Sequence, residues 1–261
     1  MDAAPASASA SAPGAPHKVD WSLSTLLIVQ VVTLFVAVPV GTQSSAAHIL
    51  LDGCHLLYAL VCVASLTRHR LLQGVLLVAL VLVVAGPPAA RDAMSEMGMG
   101  FGATLQHDLI ELAAFAFNLA VTMLVARHVF GPGRVTGHRV RGAVLLYLNI
   151  AALFGIVFNA MLVHWPGSII LTTGGPLGTQ PGARSAAMTY FSLATITTTG
   201  YGDVVPVMPL ARSLANLEAV IGQLFPATLL ARIVALNIEH SRAGGEIENG
   251  RAGGGMGDAE T

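Results

Sequence analysis

The segment TTTGYGD, residues 197–203, has the composition of a cation-binding site built from backbone oxygens. A cation that leaves water must exchange its hydration shell for other oxygens. Backbone carbonyls can supply them if successive carbonyls point to one axis. An ordinary strand alternates its carbonyl directions, so one-sided carbonyls need unusual backbone angles at alternate positions, which glycine adopts at low cost. Gly200 and Gly202 occupy two such positions; the alternative is a glycine-rich structural loop.

The residues before this segment predict how it is positioned. SAAMTYFSLATI, residues 185–196, is apolar for about a dozen residues, which is too short to cross a bilayer as a helix. We interpret it as a re-entrant helix that follows a loop rich in Gly, Pro and Thr. Irregular backbone at membrane depth is tolerated only where it is buried in protein or lines a water-filled path. The pattern therefore indicates a pore.

The composition of the chain supports a lipid environment. The 261 residues are 54% hydrophobic and only 10% charged, whereas soluble domains average about 25% charged residues. A net charge of -1 gives no reason to expect a nucleic-acid partner. The two cysteines, Cys54 and Cys62, lie in one apolar run and have no metal-site spacing.

Six apolar runs predict an all-α membrane protein with six transmembrane helices, and with the re-entrant helix and filter between the fifth and sixth. The runs are residues 23–40, 46–66, 71–85, 109–130, 144–165 and 210–238. The third run is short for a span of about 20 residues. We expect a disordered tail at 1–20, a four-helix bundle at 21–130, a cytoplasmic linker at 131–141, a pore domain at 142–240 and a second disordered tail at 241–261.

Positive charge predicts the orientation, because cytoplasmic loops carry the excess of Lys and Arg. With the N-terminus inside, ten basic residues lie on the inner side and three on the outer side. The inner ones are Lys18, Arg68, Arg70, Arg127, Arg134, Arg139, Arg141, Arg232, Arg242 and Arg251, and the outer ones are Arg91, Arg184 and Arg212. We therefore expect a multi-pass plasma-membrane protein with both termini cytoplasmic.

The segment TTTGYGD resembles the selectivity filter of potassium channels, with Thr199 where that family more often has Val. Tyr190 and Phe191 stand at the aromatic pair of the family's pore helix, and VVP follows the filter. The resemblance covers about residues 144–238. It implies an ion channel, not an enzyme, with K⁺ as the permeant ion and no cofactor.

The resemblance also assigns the filter residues. The carbonyls of Thr198, Thr199, Gly200 and Tyr201 would bind K⁺, the Thr198 hydroxyl would close the inner end, and Gly202 and Asp203 would complete the filter. The Tyr201 ring would brace the strand from behind. Because each chain holds one filter and a ring needs four, the resemblance implies a homotetramer in the lipid bilayer.

Three residues of the last span are candidates for supporting roles. Gly222 matches the position of the family's hinge glycine, and Pro226 follows one turn later, where a proline kinks a helix. Gly222 alternatively serves only close helix packing. Glu218 is a carboxylate in an apolar span, a functional candidate by default. It would face the cavity or bond behind the filter to Ser192 or Thr195, and we favour the second.

The first four helices resemble a voltage sensor in topology but not in charge. A sensor needs basic residues at every third position of its fourth span. Here that span has no Arg or Lys before Arg127 at its cytoplasmic end. The sequence therefore predicts a channel that does not sense voltage.

Two groups of potential ligands fall on the outer side of the bundle. His48, Asp52 and His55 share one helix face, and His107, Asp108 and Glu111 open the fourth span. They form either a metal or proton site that modulates gating, or a polar rim that ties helices together. Two alternatives to a channel remain: a non-conducting membrane sensor or assembly partner, and a membrane metalloenzyme that uses this outer cluster.

Overall fold

The computed structural model describes residues 16–41, 53–62, 74, 101–131, 137–175, 177–178 and 181–254. These residues form α1 (Pro16–Val32), a π-helical turn (Thr33–Ala37), α2 (Val38–Gly41), α3 (Gly53–Cys62) and α4 (Phe101–Phe130). They continue with α5 (Gly137–His164), β1 (Ile169–Leu171), α6 (Pro181–Ile196), β2 (Val204–Pro206) and α7 (Pro209–Gly254). The molecule is therefore mainly helical.

Four helices in the described ranges are long and apolar enough to cross a membrane: Leu23–Gly41, Glu111–Phe130, Arg139–His164 and Pro209–Arg232. They coincide with the first, fourth, fifth and sixth of the predicted spans. The second predicted span is described only over Gly53–Cys62, which is a shorter apolar helix. The third lies outside the described residues except for position 74, so the six-helix layout stays a prediction.

The π-helical turn interrupts the first span where two features disturb the regular hydrogen-bond ladder. The Thr33 hydroxyl donates to the Val29 carbonyl at 2.7 Å, a back-bond that often bends helices. Pro39, two residues after the π-helical turn, has no N–H to donate to the preceding turn. The first span therefore continues through the turn into α2, which lies against α6.

Helix α5 is the centre of the packing, since α1, α4, α6 and α7 all contact it. One buried cluster joins its first half to α1, α3 and α4, and includes Leu26, Tyr58, Val125 and Leu145. The buried Tyr58 hydroxyl donates to Asn149 Oδ1 at 2.9 Å, which fixes α3 on α5.

A second buried cluster joins the other half of α5 to the elements around the predicted filter. Phe158 of α5 packs on Phe191 of α6, with ring centroids 4.9 Å apart and an interplanar angle of 67°. Strands β1 and β2 pair antiparallel, with Leu171 opposite Val204. The outer loop is thereby fastened to the chain that leaves the filter.

Several element ends differ from the predicted ones. Helix α6 begins at Pro181, four residues before the predicted start, because proline suits the first turn of a helix, where no N–H partner is needed. Residues 16–20 and 137–141 are helical rather than tail or linker. Helix α7 runs to Gly254, so residues 241–254, expected to be disordered, extend a helix that is already nucleated.

Candidate functional site

The filter segment, residues 197–203, continues directly from the carboxyl end of α6. The backbone N–H of Thr198 donates to the Thr195 carbonyl at 2.9 Å, and those of Thr199 and Gly200 donate to the Ala194 carbonyl at 2.9 and 3.1 Å. The first half of the segment is therefore fixed by the last turn of α6, and its position depends on where that helix ends.

Every second residue of the filter segment has a left-handed backbone. The φ angles are 56° at Thr198, 55° at Gly200 and 77° at Gly202. The left-handed angles expected at the two glycines are present. The left-handed angle at Thr198 was not expected. A β-branched residue with positive φ is a genuine outlier, and this conformation costs on the order of 1–3 kcal/mol. Such alternation is what allows successive carbonyls to face one side.

Thr199, which stands where Val is commoner in the resembled family, has a partner for its extra hydroxyl. Its Oγ1 lies 2.8 Å from Thr197 Oγ1, and Thr197 Oγ1 in turn donates to the Leu193 carbonyl at 2.6 Å. Since each hydroxyl both donates and accepts, the added oxygen is satisfied within the segment. The β-branched shape is kept without an unpaired polar group.

The outer end of the filter segment is held by α6 and by the outer loop. The Tyr190 hydroxyl donates to Asp203 Oδ2 at 2.9 Å, and the Val204 N–H donates to Asp203 Oδ1 at 2.9 Å. The Thr172 N–H donates to the Asp203 carbonyl at 2.8 Å. The Tyr190 and Tyr201 rings stack, with centroids 6.0 Å apart and an angle of 8°. Tyr190 thus contacts both outer filter residues, whereas Phe191 packs α6 on α5.

Glu218 lies behind the filter segment, fully buried, at a junction of three helices. The Ser192 hydroxyl of α6 lies 2.5 Å from Glu218 Oε1 of α7 and 2.6 Å from the Ala151 carbonyl of α5. A serine hydroxyl has one proton, so it can donate to only one of these oxygens. Glu218 Oε2 has no partner among the described residues. Of the two predicted positions of Glu218, the structure shows the one behind the filter.

Gly222 packs directly on the end of α6. A Cβ atom added there would lie 1.8 Å from the Ile196 carbonyl oxygen and 2.7 Å from its carbon. The Tyr147 hydroxyl of α5 donates to the same oxygen at 2.8 Å. Close packing at Gly222 is thus a fact of this fold, while the hinge role of Gly222 and Pro226 remains a prediction. Pro226 lies inside α7 and cannot donate to the Gly222 carbonyl.

Two residues at the inner end were not identified from the sequence. Gln223 Nε2 donates to Thr198 Oγ1 at 2.9 Å, and Tyr147 contacts Ile196 as described. A polar side chain one residue after the predicted hinge was the available signal for Gln223. For Tyr147, a lone hydroxyl in an apolar span gave no indication of which helix it would face.

The outer cluster is only partly described. His48 and Asp52 lie outside the described residues, as does the side chain of His107. Asp108 Oδ1 lies 3.4 Å from His164 Nε2, and Glu111 Oε1 accepts from Asn159 Nδ2 at 2.5 Å, so both carboxylates contact α5. Arg184 Nε of α6 donates to Asn159 Oδ1 at 3.3 Å.

These outer contacts bear on the two interpretations of the cluster, a metal or proton site and a polar rim that ties helices together. Within the described ranges, no group of three or more His, Cys, Asp or Glu side chains could hold a metal ion. His55 is exposed on α3. The described contacts of Asp108 and Glu111 tie α4 to α5. Metal or proton modulation at the whole cluster remains a prediction.

Comparison with known proteins identifies an ion channel domain in this part of the chain. No curated protein and no solved structure matches the chain. Residues 145–239, from α5 through α6 and the filter segment into α7, match the model of a family described as "Ion channel". Together with the four apolar helices, this match indicates a membrane protein that carries an ion channel domain.

Proposed function

We propose that the protein is a subunit of a potassium-selective channel in which four copies surround one pore. The observation that carries the proposal is the filter segment: TTTGYGD follows the end of α6 with left-handed angles at Thr198, Gly200 and Gly202. Carbonyls turned to one side can replace the hydration shell of K⁺ as the ion passes. Conduction is passive, with K⁺ as the permeant ion and no other cofactor.

The surroundings of the filter segment support this role. The carboxyl end of α6 carries a partial negative charge, which favours a cation below the filter. Tyr190 of α6 contacts the segment, and Glu218 and Gly222 of α7 contact α6, so the segment cannot shift without disturbing them. A preorganised oxygen site binds the ion without first having to reorganise.

The test of this proposal is a potassium flux assay on the purified chain in liposomes. Uptake should need only the protein and a K⁺ gradient, and external barium should block it. Sealed liposomes that contain the protein but take up no K⁺ would favour the non-conducting sensor. We place the channel in the plasma membrane, with six spans and both termini cytoplasmic.

The tetramer is the first prediction that follows. One face of the filter segment is uncovered in the single chain: Tyr201 is 69% exposed, and it borders an apolar groove of about 670 Å³ that Leu34, Tyr190 and Leu193 also line. A neighbouring copy would cover this face. Purified protein should measure four chain masses by light scattering or native mass spectrometry. A conducting monomer, or a dimer as the largest stable species, would contradict the arrangement.

Weak voltage dependence is the second prediction. Helix α4 has Arg127 near its last turn as its single Arg or Lys, and the Arg127 position suits a cytoplasmic anchor. Each charge that crosses the membrane field yields about 2.3 kcal/mol per 100 mV, and sensors move about 3–4 charges per subunit. Open probability should therefore change little between about -100 and +100 mV. A steep conductance–voltage curve with several gating charges per channel would refute this prediction.

A further inference from the structure

We propose that Gln223 forms, with Thr198, the innermost cation site of the pore. Its amide N–H holds the Thr198 hydroxyl in place, and its amide oxygen faces the pore axis just below the filter. The ligand is a partly dehydrated monovalent cation that enters from the cytoplasmic cavity. This inference rests on the proposed function and extends it by one site.

The contact between Gln223 and Thr198 is the first observation. Gln223 Nε2 lies 2.9 Å from Thr198 Oγ1, and both residues are exposed in the single chain. Thr198 has a φ of 56°, a conformation that β-branched residues rarely adopt. A hydrogen bond to its side chain therefore helps to hold a residue that would otherwise relax to another backbone angle.

The backbone beneath Gln223 is fixed by its neighbour. Gly222 lies so close to Ile196 that no side chain fits between them, and the Tyr147 hydroxyl of α5 donates to the same Ile196 carbonyl oxygen. The distance from α7 to the start of the filter segment is thus set by backbone packing. Gln223 occupies the next position along α7, so its amide is placed with little freedom to move away.

Hydrogen-bond counting shows which groups remain for a cation. The Thr198 hydroxyl has two lone pairs, of which one accepts from Gln223 and the other stays free for an ion. The Gln223 amide contacts Thr198 through its nitrogen, so its one oxygen remains available as a ligand. Hard cations take such neutral oxygens as ligands. Four copies around one axis would supply four hydroxyls and four amide oxygens.

The experiment uses the full-length channel in bilayers and barium added to the cytoplasmic side as the cation probe. Gln223→Met keeps the side-chain length but removes the donor and the oxygen, and internal barium block should weaken about fivefold to tenfold. Gln223→Glu adds a ring of negative charge, and block should strengthen by at least about tenfold. Leu224→Ala, a neighbouring exposed position on α7, should stay within about twofold of the parent.

Two results would overturn the proposed site. Internal barium would block Gln223→Met as tightly as it blocks the parent, or it would block Gln223→Glu no more tightly than the parent. If the methionine variant does not assemble, the glutamate variant alone decides. Failure of the proposed function has a different signature, because the parent itself would then show no potassium-selective current. A selective parent whose two Gln223 variants bind barium as it does removes only the Gln223 site.

Discussion

Replacing Gly222 by alanine should abolish potassium current and lower the yield of assembled channel. The new methyl group would lie 1.8 Å from the Ile196 oxygen and 3.1 Å from its Cα, so it meets backbone rather than a flexible side chain. Neither partner can yield easily, because Tyr147 holds the same oxygen from α5. Either α7 moves away from α6 or the end of α6 shifts and carries the filter segment with it.

Gly222→Ala should lower the stability of each subunit by at least about 1–3 kcal/mol, the cost that is typical of overpacked cores. Liposome flux, tetramer yield and thermal unfolding measure it. Gly53→Ala is the matched control, since among the described residues no atom lies within 4 Å of a Cβ added in α3. If Gly222→Ala conducts like the parent, α7 does not pack on α6 as described here.

Replacing Gly202 by alanine should remove selectivity between potassium and sodium, or remove current altogether. The φ angle of Gly202 is 77°, and among the described residues no atom lies within 4 Å of an added Cβ. The change therefore adds no clash and isolates the backbone conformation. Alanine resists a left-handed angle by about 1–2 kcal/mol, which is relieved if the peptide rotates and its carbonyl leaves the axis.

Gly167→Ala separates this effect from a general loss of stability. Gly167 has a φ of 85° and the same open surroundings, but it lies between α5 and β1, outside the filter segment. Both variants should lose similar stability on heating, whereas only Gly202→Ala should lose selectivity in reversal-potential recordings. Unchanged selectivity in Gly202→Ala would show that this carbonyl does not contribute to the filter.

The sequence predicted those parts of the site that depend on local chemistry. The glycines of the filter segment and the helix before it were predicted, because they follow from residue type and spacing. For Glu218 the sequence offered the cavity or a partner behind the filter, Ser192 or Thr195, and the structure shows Ser192. The left-handed angle at Thr198 was not predicted, since a β-branched residue disfavours it and only the surrounding contacts impose it.

Contacts between distant helices were harder to predict. Spacing along a helix shows which residues share a face, but not which neighbour that face meets. The contacts of Asp108 with His164 and of Glu111 with Asn159, both on α5, therefore did not follow from the sequence. Gln223 and Tyr147 were missed for the same reason, because the rotation of α5 and α7 about their axes decides what each side chain reaches.

The proposal that this chain forms a potassium-selective pore depends most on the filter segment, and a bi-ionic reversal potential measures its selectivity. Purified protein in a planar bilayer would face potassium on one side and sodium on the other at equal concentration. If four filter segments line the pore with carbonyls, the reversal potential should lie far from zero, with the sign expected when potassium is more permeant than sodium. External barium should suppress the current. A reversal potential near zero would show that the pore does not distinguish the two ions, and the assignment of residues 198–203 as a potassium filter would be wrong.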